Sequence, residues 1–310
     1  MVVAVVGATA VGKSAIAFDV AQRLDAEIVS VDSMQLYRGM DIGTDKPPPS
    51  ERRQVRHHLI DLRPASQEIT VADFQIEARA VISDITARGR LPLLVGGSGL
   101  YFRAVVEDLR FPPRSQRTRR ALEDEASRPG GPDRLFARLQ RVDPSAARRI
   151  GGANTRRVIR ALEVVEVTGG PGADSAPWHS FDSIYDLRVA GLRRERDDLY
   201  RRIAARVDRM LEAGLVEEAR RLEREGLGAT ARQALGYRQV LESPEATREE
   251  LRDAIVRATK RFARRQESWF RADPRVVWFD AGAADLADRL VRFVQSAEEP
   301  ARPEAGNLEG

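Results

Sequence analysis

Gly7-Ala8-Thr9-Ala10-Val11-Gly12-Lys13-Ser14 fits the pattern G-x-x-x-x-G-K-[ST], a loop whose backbone N–H groups cradle phosphate oxygens. Its flanks supply the context the pattern needs. Val2 to Val6 is a short continuous apolar run, read as a buried strand, and Ala15 to Leu24 has the spacing of an amphipathic helix. Between strand and helix the glycines let the chain curl, so that successive amides face an anion at the positive end of the helix dipole. Gly7, Ala8, Thr9, Ala10, Val11, Gly12, Lys13 and Ser14 are therefore the expected phosphate contacts. Lys13 adds a point charge, and the Ser14 hydroxyl is suited to ligate Mg²⁺. Of 51 lysines and arginines only three are lysine, at positions 13, 46 and 260. A chain that uses arginine almost everywhere keeps a lysine where a forked guanidinium does not fit the loop. The loop alone specifies a phosphate or diphosphate; it names neither ATP nor a reaction.

The rest of the composition narrows the field. There is no cysteine, so disulfides and thiolate metal sites are excluded, and three histidines leave little for a His-rich metal centre. No apolar run approaches the ~20 residues that a membrane span needs, and the N-terminus runs straight into a strand. A cytoplasmic monomer without membrane contact is expected. The charge is unevenly spread. Residues 1–110 carry 13 basic and 14 acidic side chains, whereas residues 111–168 carry 13 basic and 7 acidic ones. That local excess is made of arginine, which pairs with phosphate in fork geometry and stacks on bases, so it points to RNA as well as to a merely solvated helical face.

Further strands read as Glu27–Val31, Leu91–Val95, Asp186–Leu192 and Arg275–Phe279. Helices read as Thr70–Arg88, opened by a capping signal from Thr70 and Asp73, then Leu199–Glu225, broken at Gly214, and Arg248–Phe270. Residues 34–69 read as loop-rich. Alternating helices and apolar strands imply an α/β fold, a P-loop NTPase-like parallel sheet core with a helical insertion domain. The expected divisions are 1–114 for the first part of the core, 115–180 for the insertion and 181–295 for the return to the core. A disordered tail is expected at 296–310.

Ligands in such a sheet sit beyond the carboxyl ends of the strands. Three of those ends carry unusual residues: Gly7–Ser14, Asp32-Ser33 and Gly96-Gly97-Ser98-Gly99. Asp32 is placed either to bind Mg²⁺ through water or to act as a general base; the plainer alternative is a turn aspartate. The strand Leu91–Val95 ends in glycines rather than in the acidic residue of a Walker B strand, which argues against an ordinary ATPase and for a diphosphate that leaves.

Asp32-Ser33-Met34-Gln35-Leu36-Tyr37-Arg38-Gly39-Met40-Asp41-Ile42-Gly43-Thr44-Asp45-Lys46-Pro47 resembles the tRNA dimethylallyltransferases (isopentenyltransferases). The resemblance continues in His57-His58-Leu59-Ile60-Asp61, in Leu93 to Tyr101, in Asn154 to Glu163, in Ala234 to Gln239 and in Arg264 to Arg271. It covers residues 1 to about 279 in order.

The resemblance implies transfer of a dimethylallyl group from dimethylallyl diphosphate to N6 of the adenosine just 3′ of the anticodon of a tRNA, position 37, with release of diphosphate. It implies that Lys13, Ser14 and Arg206 act on the diphosphate together with Mg²⁺, and that Asp32 accepts the N6 proton. The flipped base and its anticodon loop are expected to touch Asp32, Ser33, Met34, Gln35 and Ser98, the last standing where the family usually has threonine. The basic insertion supplies Arg119, Arg156, Arg157 and Arg160. Gly236, Tyr237, Arg238, Gln239, Arg264, Arg265, Gln266, Trp269 and Arg271 are expected on the other side of that grip, with Trp269 equally suited to helix packing. Two features depart from the family pattern. Ala8 and Val11 replace its proline and small polar residue, which is expected to leave the loop amides available, and Gly169–Ser180 does not follow it. The alternatives are an isopentenyltransferase acting on free adenine nucleotides, a P-loop small-molecule kinase and a non-catalytic RNA-binding module.

Overall fold

The computed structural model describes residues 1–170 and 180–296, which divide into two compact units, Met1–Asp108 with Phe181 onward, and Leu109–Ser180. The second unit thus starts earlier than residue 115. The expected tail beyond Ser296 and most of the Gly169–Ser180 stretch lie outside the described residues.

The first unit is built on a six-stranded sheet. Its strands are β1 (Val2–Gly7), β2 (Ala26–Ser30), β4 (His57–His58), β6 (Leu91–Gly96), β7 (Leu187–Arg193) and β8 (Val276–Asp280), in the order β4-β2-β6-β1-β7-β8, and all pairs are parallel. Every residue of β1 and β2 is buried, as strands covered on both faces require. Strands β3 (Tyr37–Arg38) and β5 (Arg63–Pro64) form a separate pair, and α2 (Pro49–Gln54) lies between them in sequence. The stretch 34–69, expected as loop, therefore holds three two-residue strands and a helical turn and a half. Strands that short leave no apolar run for a sequence pattern to detect.

Helix α1 (Lys13–Arg23) follows the phosphate loop. Helix α3 (Val71–Ala87) starts at the expected capping box, in which Asp73 N donates to Thr70 Oγ1 at 3.0 Å and Thr70 N donates to Asp73 Oδ2 at 3.0 Å. Helix α4 (Gly99–Val106) follows β6. After β7 come α9 (Arg196–Glu212), α10 (Leu215–Arg224), a 3-10 turn (Ala231–Gln233), α11 (Tyr237–Glu242), α12 (Arg248–Arg271) and, past β8, α13 (Leu286–Gln295). Gly214 separates α9 from α10, as the sequence indicated.

The second unit is a four-helix cluster of α5 (Gln116–Ala126), α6 (Gly131–Val142), α7 (Pro144–Ile150) and α8 (Thr155–Thr168). It has its own apolar core of Leu122, Leu135, Leu139, Ala146, Val158 and Leu162 with neighbours.

Candidate active site

Strands β1, β6 and β2 are neighbours, so their carboxyl ends bring the phosphate loop, the Gly96–Gly99 turn and Asp32 together at one edge of the sheet. Gly7 leaves β1 at φ 142°, and a Cβ there would stand 2.6 Å from the carbonyl oxygen of Leu192 on β7; only glycine lets the loop start so close to the next strand. Ala10 sits in the left-handed region at φ 64°, a strained conformation that curls the loop over.

A cavity of about 450 Å³ opens at this edge. Of the residues expected at the site, Thr9, Lys13, Ser14, Asp32, Ser33, Met34, Gln35, Ser98, Arg206, Gly236, Arg238, Arg265 and Gln266 line it. A second cavity of about 450 Å³ shares Lys13, Ser14, Asp45 and Arg206 with the first and adds Ala10, Gly12, Arg202 and Arg209. Gly7, Ala8 and Val11 lie beneath the loop surface, Ala8 and Val11 wholly buried.

Lys13 and Arg206 both line this cavity, and Arg202 and Arg194 bond the loop carbonyls of Ala10 and Val11 at 3.0 and 3.4 Å. Lys13 Nζ donates to the Ala8 carbonyl at 2.7 Å. Burial lowers its pKa from 10.5 to about 8; Asp32 opposes that shift, Arg206 reinforces it and Asp45 opposes it. Arg206, on α9, pairs with Asp45 at 3.1 Å. The loop amides are not all available, contrary to expectation. Thr9 N donates to Gln266 Oε1 at 2.9 Å, and Val11 N donates to the Ala8 carbonyl at 3.4 Å. The first N–H groups of α1 lack carbonyl partners within the helix, and Ser14 is exposed among them.

Asp32 Oδ1 accepts from Met34 N at 2.8 Å and from Gln35 N at 3.4 Å, which fixes the side chain as a turn residue does. Its Oδ2 carries no hydrogen bond among the described residues, so the turn leaves that oxygen unused. Ser98 Oγ accepts from Ser33 N at 3.4 Å and stands 3.4 Å from Ser33 Oγ, linking the two strand ends. Gln35 accepts from Ser30 Oγ at 2.9 Å and donates to the Thr44 carbonyl at 3.2 Å.

Val207 and Met210 of α9 and Ile255, Ala258 and Phe262 of α12 add apolar side chains to the lining. No sequence argument singled these out. A half-turn stripe on a long helix reads the same whether it faces a core or a ligand. His57, also unforeseen as a site residue, lines the cavity with Nδ1 2.8 Å from the Val55 carbonyl, and burial lowers its pKa.

Several expected RNA contacts have other tasks. Gln266 is buried on α12; besides Thr9 it holds Gly97 by donating to its carbonyl at 2.9 Å. A Cβ on Gly97 would come within 2.2 Å of that amide nitrogen, so glycine and glutamine fit as a pair. Tyr237 is 0% exposed and donates to Glu218 at 2.5 Å, so it packs inside the fold. Gln239 is buried and accepts from Gly236 N at 2.8 Å, capping α11. Trp269 packs on Gly99 with the Arg103 guanidinium 5.9 Å from its ring, the helix-packing alternative. Arg264 and Arg271 are exposed and do not line the cavity, whereas Arg261, unforeseen, does.

In the second unit Arg160 bonds the Pro112 carbonyl at 2.7 Å and pairs at 3.0 Å with the wholly buried Glu163. Arg119 pairs with Glu123 at 2.9 Å. Both guanidinium groups are engaged in holding this unit together. Arg156 and Arg157 are exposed, and among the described residues neither pairs with a carboxylate.

Comparison with known proteins places the chain in a family and fold. A family model described as "IPPT: IPP transferase" matches residues 35–273. The chain is 54% identical over 302 residues to the tRNA dimethylallyltransferase of Thermobifida fusca (strain YX), with 94% of each chain covered. It is 53% identical over 303 residues to that of Streptomyces avermitilis, with 96% of each covered. The crystal structure of the full-length tRNA isopentenylpyrophosphate transferase of Bacillus halodurans is similar with a TM-score of 0.68 at 42% identity, over 94% of this chain and 95% of that one. A eukaryotic dimethylallyltransferase acting on tRNA shares the fold, with a TM-score of 0.81 at 24% identity over 97% of this chain and 81% of that one.

Proposed function

The chain belongs to the IPP transferase family, and on that premise we propose that it transfers the dimethylallyl group of dimethylallyl diphosphate to N6 of adenosine 37 of a tRNA, releasing diphosphate. The observation that carries this reading is one cavity with three kinds of lining: the cations Lys13 and Arg206, the carboxylate of Asp32, and the apolar side chains of α9 and α12. A diphosphate matches the first and a prenyl chain the third. An adenine amine that must lose a proton matches the second.

The exocyclic amine of adenine is conjugated with its ring and is a weak nucleophile. Bond formation from N6 to the prenyl carbon, with departure of diphosphate, leaves a proton on nitrogen, which Asp32 accepts. Lys13, Arg206 and the amides at the start of α1 stabilise the charge that grows on the leaving diphosphate. The base reaches the cavity only when flipped from its stack. Arg156 and Arg157, exposed and not paired with a carboxylate among the described residues, meet RNA phosphates. A cytoplasmic enzyme follows from a tRNA substrate.

Mg²⁺ fits the donors present. Ser14, Asp32 and Asp45 offer hard oxygen ligands around the same space, and among the described residues no cluster of three or more His, Cys, Asp or Glu gathers elsewhere. Few protein oxygens beside a phosphate is the kind of site this ion takes. Bound there, the ion would supply further charge neutralisation for the diphosphate.

The test is mass spectrometry of tRNA after incubation with the protein and dimethylallyl diphosphate. A gain of one dimethylallyl group on the adenosine 3′ of the anticodon is expected. Phosphoryl transfer from ATP, or prenylation of AMP in preference to an anticodon stem-loop, would overturn the reading.

A further inference from the structure

Besides Asp32 at its strand end, a second acidic residue stands by the phosphate loop, on the loop that follows β3. Asp45 lines both cavities together with Lys13 and Ser14, and its Oδ2 lies 3.1 Å from Arg206 Nη1. It thus pairs with a cation that a diphosphate in this cavity would otherwise meet.

Asp45 is also held where it is. Its backbone adopts φ 54°, a left-handed conformation that an aspartate tolerates at some cost. Just upstream, the buried carboxylate of Glu218 accepts from the backbone N–H groups of Asp41 at 3.1 Å, Ile42 at 3.1 Å and Gly43 at 3.3 Å, and from Tyr237. Just downstream, Lys46 Nζ bonds the Tyr37 carbonyl at 2.6 Å, Asp41 at 2.8 Å and Asp61 at 2.6 Å. Gln35 adds bonds to the Thr44 and Asp45 carbonyls at 3.2 and 3.4 Å. Clamped on both sides, the loop holds the Asp45 backbone beside the pocket.

A carboxylate beside a polyanion is repulsive unless a cation lies between them. We propose that Asp45 sets the divalent-cation dependence of the diphosphate pocket: it opposes free diphosphate by charge and by occupying Arg206, and it accepts the metal-bound form. The inference rests on the diphosphate reading of the cavity.

Inorganic pyrophosphate binding to the full chain, measured by calorimetry with Mg²⁺ and with chelator, tests it. Asp45→Asn is the suitable variant, because asparagine keeps the left-handed backbone and removes only the charge. The wild type is expected to bind pyrophosphate more weakly without Mg²⁺. Asp45→Asn is expected to gain on the order of tenfold in metal-free affinity and to lose most of the Mg²⁺ effect. If Asp45 merely steadies Arg206, the variant binds more weakly with and without metal alike, and the proposal falls. An unchanged Mg²⁺ ratio overturns it equally, while leaving the pocket reading intact. Failure of either protein to bind pyrophosphate under any condition removes both. A melting curve matched to the wild type guards against misfolding, and Asp45→Glu, which restores the charge, is expected to recover the metal dependence.

Discussion

The cavity of the first unit and the basic helices of the second are both rich in arginine, yet the arginines behave differently. In the cavity Arg206 meets Asp45 beside Lys13, whose pKa burial lowers and whose charge all three neighbours Asp32, Arg206 and Asp45 influence. In the second unit Arg119 and Arg160 are drawn into ion pairs around the buried Glu163, whereas Arg156 and Arg157 are among the exposed arginines that remain to meet a polyanion. A confined charge acts through geometry and pKa; an exposed one acts through screened attraction and counterion release. Catalytic effects should therefore concentrate in the first unit, and salt-dependent effects in the second.

The sharpest way to break this contrast is Asp32→Ala, which is expected to lower transfer by roughly 10²–10⁴-fold while RNA binding persists. Near-normal turnover would remove Asp32 from the chemistry. Next in size, Leu135→Ala in the core of the second unit should cost about 2–5 kcal/mol in its unfolding, read by denaturant titration. Pyrophosphate binding should survive at temperatures where that unit is destabilised, and its loss would make the two regions one energetic body.

A pH titration sharpens the first half of the comparison. Lys13 ionises at about 8 in the ligand-free protein, so its positive charge is present below that pH and lost as the pH rises through it. Pyrophosphate affinity should fall about tenfold between pH 7 and pH 9, and a Lys13→Met variant should not show that fall. The same depression carries a stability sign. Because burial lowers the folded pKa below 10.5, the cost of a charged Lys13 is present below about 8 and is relieved as pH rises toward 10.5. The smallest expected effect is that of Arg157→Ala, which should weaken tRNA binding a few-fold and reduce the slope of log affinity against log salt by about one. An unchanged slope would take Arg157 off the phosphate backbone.

How much was legible depended on range. The phosphate loop, the capping box of α3 and the break at Gly214 are local patterns, and each stands where the sequence put it. The two-residue strands at 37–38, 57–58 and 63–64 escaped because nothing in so short a stretch distinguishes a strand from a loop. Motif membership also misled about depth. Tyr237, Gln239 and Gln266 sit in stretches that resemble RNA-contact motifs, yet all three point inward and tie backbone segments together.

The amino-acid sequence determined by itself where the glycine loop between β1 and α1 lies, that the core is a parallel α/β sheet, and which stretches carry the excess of positive charge. Each of those follows from neighbours along the chain, from periodicity, or from counting. The tertiary structure alone decided that Gln266 takes the amide of Thr9, 257 positions away, that Glu218 clamps the loop at 41–43, and that Asp45 stands against Arg206. Those roles arise from contacts across the fold, where burial and hydrogen-bond satisfaction choose among side chains that look alike in one dimension.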